Sequence, residues 1–243
     1  MTSFLRKRVS PRLFSFGGLI SGLAVLLIFT AEPVTKVHSS HTFSSNTLLC
    51  LGDSYTIGEM VLPGENFPEQ TVQLLRTSGY NFADPEIVAK TGWTTDELQT
   101  AINKYHFKNS YDFVTLLIGV NNQYRGRTVE DYKLQFESLL KQAIQFTNGK
   151  ADHVIVLSIP DWGVMPFAKN LNRNSIAKEI DDYNQANKEI SSAYHVNYID
   201  VTPGTREAAN DLSLLASDGL HPSAKEYARW SEKICLTIRR YLQ

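Results

Sequence analysis

The sequence predicts a three-layer α/β/α sandwich around a central parallel sheet of about five strands, and three observations carry that prediction. Five short apolar runs lack polar alternation, as strands covered on both faces should. Segments with helical apolar periodicity lie between them. Polar residues and glycines cluster just after the strand-like runs, where open parallel sheets carry their sites.

The N-terminal segment precedes that pattern. Arg6, Lys7, Arg8 and Arg12 come before an uncharged apolar run over residues 13–30. A basic end followed by such a run reads as an export signal, and its length lies near the lower limit of a membrane span. Residues 1–32 are therefore expected to be a signal peptide or an N-terminal signal-anchor. The cleavage pattern at Phe29-Thr30-Ala31 is poor, and no Cys follows the run to carry a lipid. Cleavage and retention as a single membrane anchor both stay open, and either places the rest outside the cytoplasm. Residues 33–46, rich in Ser, Thr and His, read as a linker in which His38 and His41 are solvated. Residues 47–243 carry no repeat or second linker and are expected to form one domain.

Within that domain the strand candidates are residues 47–51, 86–89, 113–118, 153–158 and 196–201. The helical stripes are Tyr132, Phe136, Leu139, Leu140, Ala143 and Ile144, then Ile176, Ile180, Tyr183 and Ile190, then Tyr227, Trp230, Ile234 and Ile238. Thr94 with Glu97 and Ser223 with Glu226 each fit a capping box, and Pro222 reads as part of the first turn of the last helix. The strands end in Gly52-Asp53-Ser54, Thr91-Gly92-Trp93, Gly119-Val120-Asn121-Asn122 and Pro160-Asp161-Trp162-Gly163. Past the fifth, just before the last helix, comes the stretch SDGLHP.

Composition narrows the function. Lys and Arg number 24 against 25 Asp and Glu, a net charge of -1, so there is no basic footprint for nucleic acid and no nucleic-acid partner is expected. Hydrophobic residues at 42% suffice for an ordinary core. Cys50 and Cys235 do not make a disulfide framework. Two buried free thiols are the first expectation and a single disulfide the other. No metal site or cofactor is expected.

The polar clusters hold the parts of an acyl-transfer site. Read alone, Gly-Asp-Ser is ordinary turn composition. A serine at a strand end is also exposed, and it becomes a nucleophile once a base takes its proton. His221 supplies a base, and Asp218, three residues earlier with Gly219 to allow the bend, can orient one imidazole nitrogen. Asp53 reads as structural. The oxyanion of a tetrahedral intermediate needs donors. Backbone N–H groups of Ser54 and Gly92 and the side-chain amide of Asn121 are candidates.

Taken in order, Gly52-Asp53-Ser54, Gly92, Gly119-x-Asn121 and Asp218-x-x-His221 resemble the four blocks of the SGNH, or GDSL-type, hydrolases, from about residue 47 to the C-terminus. The resemblance implies a flavodoxin-like sandwich, with Ser54 as nucleophile, His221 as base and Asp218 as its acid. It likewise assigns Ser54, Gly92 and Asn121 to the oxyanion hole. The phrases AKTGWTTDEL, LIGVNNQYRGR and SIPDWGVMPFA further resemble a bacterial lysophospholipase-like acylhydrolase branch. Tyr55 stands where the family often has Leu, and Asn122 where Asp is common. Asn122 is expected to alter local hydrogen bonding and leave the Asn121 donor intact. The Gly-x-Ser-x-Gly elbow of the unrelated α/β-hydrolases is absent.

Substrate-facing candidates follow from position. Gln123, Tyr124, Arg125 and Arg127, after the oxyanion Asn, suit a polar or anionic head group. Trp162, Met165 and Phe167 suit an apolar wall, and Trp93 is either pocket lining or core. The expected function is an extracytoplasmic serine esterase acting on a small-molecule, lipid or glycan ester. Glycan O-deacetylation or acyl transfer on the same site is the alternative. A non-catalytic envelope-binding module is the alternative of another class, and it predicts loss of Ser54, Asp218 or His221, none of which is missing. A nucleotide-binding flavodoxin-like protein would need a phosphate loop that GDSYTIGE supplies only in part.

Overall fold

The computed structural model describes residues 12–14, 17 and 45–242. Most of the signal or anchor expected over residues 1–32, and most of the linker expected over 33–46, lie outside the described residues. The linker's end is corrected. Asn46 already bridges Phe82 in parallel, its N–H donating to the Asn81 carbonyl at 2.8 Å. Among the described residues no helix is long and apolar enough to cross a membrane.

In chain order the elements are β1 (Leu48–Gly52), α1 (Ser54–Ile57), α2 (Phe67–Thr77), β2 (Glu86–Ala89), α3 (Thr95–Ile102), β3 (Phe113–Leu117) and α4 (Val120–Tyr124). There follow α5 (Val129–Phe146), β4 (Val154–Leu157), α6 (Arg173–Ala193), β5 (Asn197–Ile199), α7 (Thr202–Arg206) and α8 (Ala224–Arg239), with short 3-10 turns between. The five strands form one parallel sheet in the order β2-β1-β3-β4-β5. The three inner strands are buried at every position, and that is why their sequences show no alternation.

Parallel neighbours need crossovers, and right-handed crossovers sort the helices by direction of travel. The β1-to-β2 crossover carries α2, which packs on α8. The crossovers running the other way carry α3, α5 and α6, and α5 packs on both α3 and α6. The apolar stripes fill the two interfaces. Tyr132, Phe136 and Tyr183 are buried on one side, Phe67, Tyr227 and Trp230 on the other. The sheet order reverses at β1, so the crevice for a ligand opens at the carboxyl ends of β1 and β3.

Several boundaries differ from the sequence expectation. His153 closes a 3-10 turn instead of starting β4. Ser158 leaves the strand because its Oγ accepts from the Val201 and Thr202 N–H groups at 2.8 and 3.1 Å, capping α7. The box at Thr94 forms, with Glu97 Oε2 accepting the Thr94 N–H at 2.9 Å. The one at Ser223 forms only half. Glu226 turns inward to accept from Trp230 Nε1 at 2.8 Å, while the Ser223 N–H donates to the Leu214 carbonyl. Pro222 precedes the cap in a bridge to Leu215, outside the helix. Cys50 and Cys235 are separate buried thiols. Burial pushes the Cys50 thiol up to about 12, so it packs as an apolar group.

Candidate active site

β1 delivers Ser54 to the crevice. The strand runs out at Gly52, where a Cβ would meet Thr56 Oγ1 at 2.1 Å and the Leu117 carbonyl at 2.4 Å, so only glycine lets the chain turn there. Asp53 then caps α1, its Oδ1 accepting the Tyr55 N–H at 3.0 Å. Asp53 is fully buried and Oδ2 has no partner among the described residues. Burial raises its carboxyl to about 7, against the Tyr55 N–H, which lowers it.

The loop before α8 brings the other two groups. Asp218 Oδ1 accepts the N–H groups of Leu220 and His221, both at 3.0 Å, while Gly219 bends the chain at φ +64°. The turn leaves Oδ2 facing His221 Nδ1 at 2.6 Å. A carboxylate accepts only, so Nδ1 donates and Nε2 is left to accept from Ser54 Oγ, 3.0 Å away. Burial pushes the Asp218 carboxyl upward, but the bonds from the His221 ring and the two backbone N–H groups outweigh it and hold it below its ordinary value. Asp218 is thus ionised at neutral pH. Tyr55 lies beside the imidazole, with ring centroids 5.4 Å apart.

β2 and β3 bring Gly92 and Asn121. Gly92 sits at φ +83°, a conformation an L side chain resists. Its turn is held by carbonyls. Asn121 Nδ2 donates to Trp93 O at 3.0 Å, and Arg125 Nη2 donates to Gly92 O at 2.5 Å. Nδ2 carries a second hydrogen for another acceptor. Among the described residues, neither the Ser54 nor the Gly92 N–H donates to protein. Asn122 ties α4 to α3, its Oδ1 accepting the Thr95 N–H at 3.0 Å and its Nδ2 donating to Thr95 Oγ1 at 2.7 Å.

A cavity of about 200 Å³ joins these groups. Ser54, Gly92, Asn121 and His221 line it, along with Tyr55, Thr91, Val120, Tyr124, Trp162, Phe167 and Leu220. Of the substrate-facing candidates, Tyr124, Trp162 and Phe167 line it, while Trp93, Gln123, Arg125, Arg127 and Met165 do not. Gln123 is 5% exposed, receiving the Trp162 indole N–H on Oε1 and donating from Nε2 to Glu179, both at 2.7 Å. It is a brace behind the wall. Arg125 holds the Gly92 turn and Glu97 (3.2 Å), and Arg127 pairs with Asp96. Trp93 packs partly buried against the core, outside this cavity. Met165 is buried beneath, so the expected wall reduces to Trp162 and Phe167. Val120 and Leu220 escaped sequence reading, although each adjoins a motif residue.

This arrangement can pass a proton from Ser54 to His221 and present three N–H donors beside the nucleophile. The family model described as GDSL-like Lipase/Acylhydrolase matches residues 50–229. No curated protein matches the chain. A lipase/acylhydrolase from Enterococcus faecalis is 21% identical, with a TM-score of 0.63 over 81% of this chain and 96% of its own. The acetylxylan esterase Axe2 from Geobacillus stearothermophilus is 19% identical (TM-score 0.61; 79% and 94%). The psychrotrophic esterase EstA from Pseudoalteromonas sp. is 17% identical (TM-score 0.61; 82% and 99%). At these identities the likeness is one of fold.

Proposed function

The chain belongs to the GDSL-like lipase/acylhydrolase family and is an ester-cleaving hydrolase, and on that premise we propose that it cleaves carboxylic esters through an acyl-enzyme on Ser54. The observation that carries this reading is the unbroken relay from Asp218 to His221 to Ser54, at 2.6 and 3.0 Å, opening into one cavity with Gly92 and Asn121.

Ser54 Oγ attacks the ester carbonyl carbon as His221 Nε2 takes its proton. The negative oxygen that forms is met by the N–H groups of Ser54 and Gly92 and the Asn121 amide. The carbon–oxygen bond to the alcohol breaks, and the alcohol leaves with the proton from His221. Water then attacks the acyl-Ser54 carbonyl, giving a proton to His221. The carboxylic acid departs as that proton returns to Ser54. Asp218 keeps Nδ1 protonated and stabilises the imidazolium at both steps.

A fluorophosphonate probe should label Ser54, and Ser54→Ala should lose about a thousandfold or more in ester turnover, leaving only what binding and oxyanion donors supply. Retention of the wild-type rate by that variant sinks the proposal.

A further inference from the structure

The triad does not dictate the character of the cavity above it. Tyr124, Trp162 and Phe167 form a continuous aromatic wall, with ring centroids 5.3, 6.0 and 6.5 Å apart. Tyr124 is 57% exposed and Phe167 48%, leaving large apolar faces at the cavity instead of in the core. The wall is fixed to the catalytic loop, because the Phe167 N–H donates to the Gly219 carbonyl at 3.3 Å. Trp162 is fixed in turn by Gln123.

Apart from the Tyr55 and Tyr124 hydroxyls, the side-chain polar groups around the cavity that could read an alcohol or a sugar are largely committed. The Trp162 N–H goes to Gln123, the Thr91 hydroxyl to Glu59, and one Asn121 hydrogen to Trp93. Arg125 is held by Gly92 O and Glu97. A sugar ring leaves hydroxyls to be satisfied, and a site with few partners for them binds it poorly. An alkyl chain asks only for apolar area. At about 200 Å³ the space slightly exceeds the ~150 Å³ apolar cavity that takes one benzene.

We propose, resting on the esterase reading above, that this cavity is an acyl-chain pocket for unbranched acyl groups of about four to eight carbons, and that Phe167 and Tyr124 set its length preference. The acyl carbonyl sits at Ser54 and the chain runs along the aromatic wall.

The test uses the full chain and p-nitrophenyl esters from acetyl to dodecanoyl, with acetylated xylan as a separate arm. kcat/KM should rise by about fourfold per methylene up to about six carbons and then level off. Phe167→Ala and Tyr124→Ala, both at half-exposed positions, should flatten that slope, cutting the hexanoyl-to-acetyl ratio by about tenfold. Their melting temperatures should stay near wild type. An acetyl optimum, faster turnover of acetylated xylan, or an unchanged slope in both variants overturns the pocket while Ser54 still labels with fluorophosphonate. No turnover on any arm, with Ser54 unlabelled, overturns the esterase reading and the pocket with it.

Discussion

The Arg125 guanidinium donates to Gly92 O at 2.5 Å and pairs with Glu97 at 3.2 Å, although its position after Asn121 suits a head-group ligand. A charged donor there fixes the peptide following Gly92 and, through it, the turn that presents the Gly92 N–H. Arg125→Met should lower kcat by about ten- to a hundredfold with KM little changed, less than removal of an oxyanion donor itself. Arg125→Lys should recover part of the loss, and affinity for a boronic acid that mimics the tetrahedral adduct should follow kcat. A rise in KM with kcat held would mark a substrate contact instead. Ser54, Asp218 and His221 were legible because a short local turn builds the Asp-His pair and a strand end exposes the serine. Gln123 and Arg125 were not, because their partners Trp162, Glu179, Gly92 and Glu97 lie 28 to 56 residues away in sequence.

The connection from β4 to α6 shows how an element without periodicity acquires a shape. The three inner strands were legible to within one residue because both faces are covered. α1, α4 and α7, of four or five residues each, are too short to show a period. The turn carrying Trp162 owes its form to Asp161, whose Oδ1 accepts the Gly163 N–H at 2.9 Å. Asp161 is fully buried, and Arg206 Nε donates to its Oδ2 at 2.8 Å while Nη2 reaches Asp181. Removing the cation strands a buried carboxylate. Arg206→Met should therefore cost about 3 kcal/mol in urea unfolding, at the lower end for such breaks because Arg206 is partly exposed. Adding Asp161→Asn should recover much of this, since a neutral amide still caps the turn. Wild-type stability in the single variant would show that the pair contributes little to this loop.

Across the whole molecule, buried and paired carboxylates set opposing pH dependences. In Asp96, Glu97 and Asp218 the folded-state pKa is depressed, with hydrogen bonds from Thr94, Arg127, Arg125 and the His221 turn outweighing burial where it opposes them. Their stabilisation is present above the ordinary carboxylate range and is lost as pH falls through the folded values. Asp53 works the other way. Beneath Ser54, at the one place where the sheet order reverses, burial raises it to about 7 from 3.8. Between those values the folded chain binds the extra proton, so stability falls as pH rises. Three units correspond to roughly 4 kcal/mol lost between about pH 4 and pH 8. The depressed carboxylates lose stabilisation as pH falls and Asp53 loses it as pH rises, so the maximum lies on the acid side of neutrality. Asp53→Asn keeps an acceptor for the Tyr55 N–H and has no proton to exchange in this range. Urea unfolding of the variant should lose the decline above pH 5 that the wild type shows, moving the maximum toward neutrality. Parallel declines in the two proteins would place the titration on another group and leave the buried Asp53 ionised throughout.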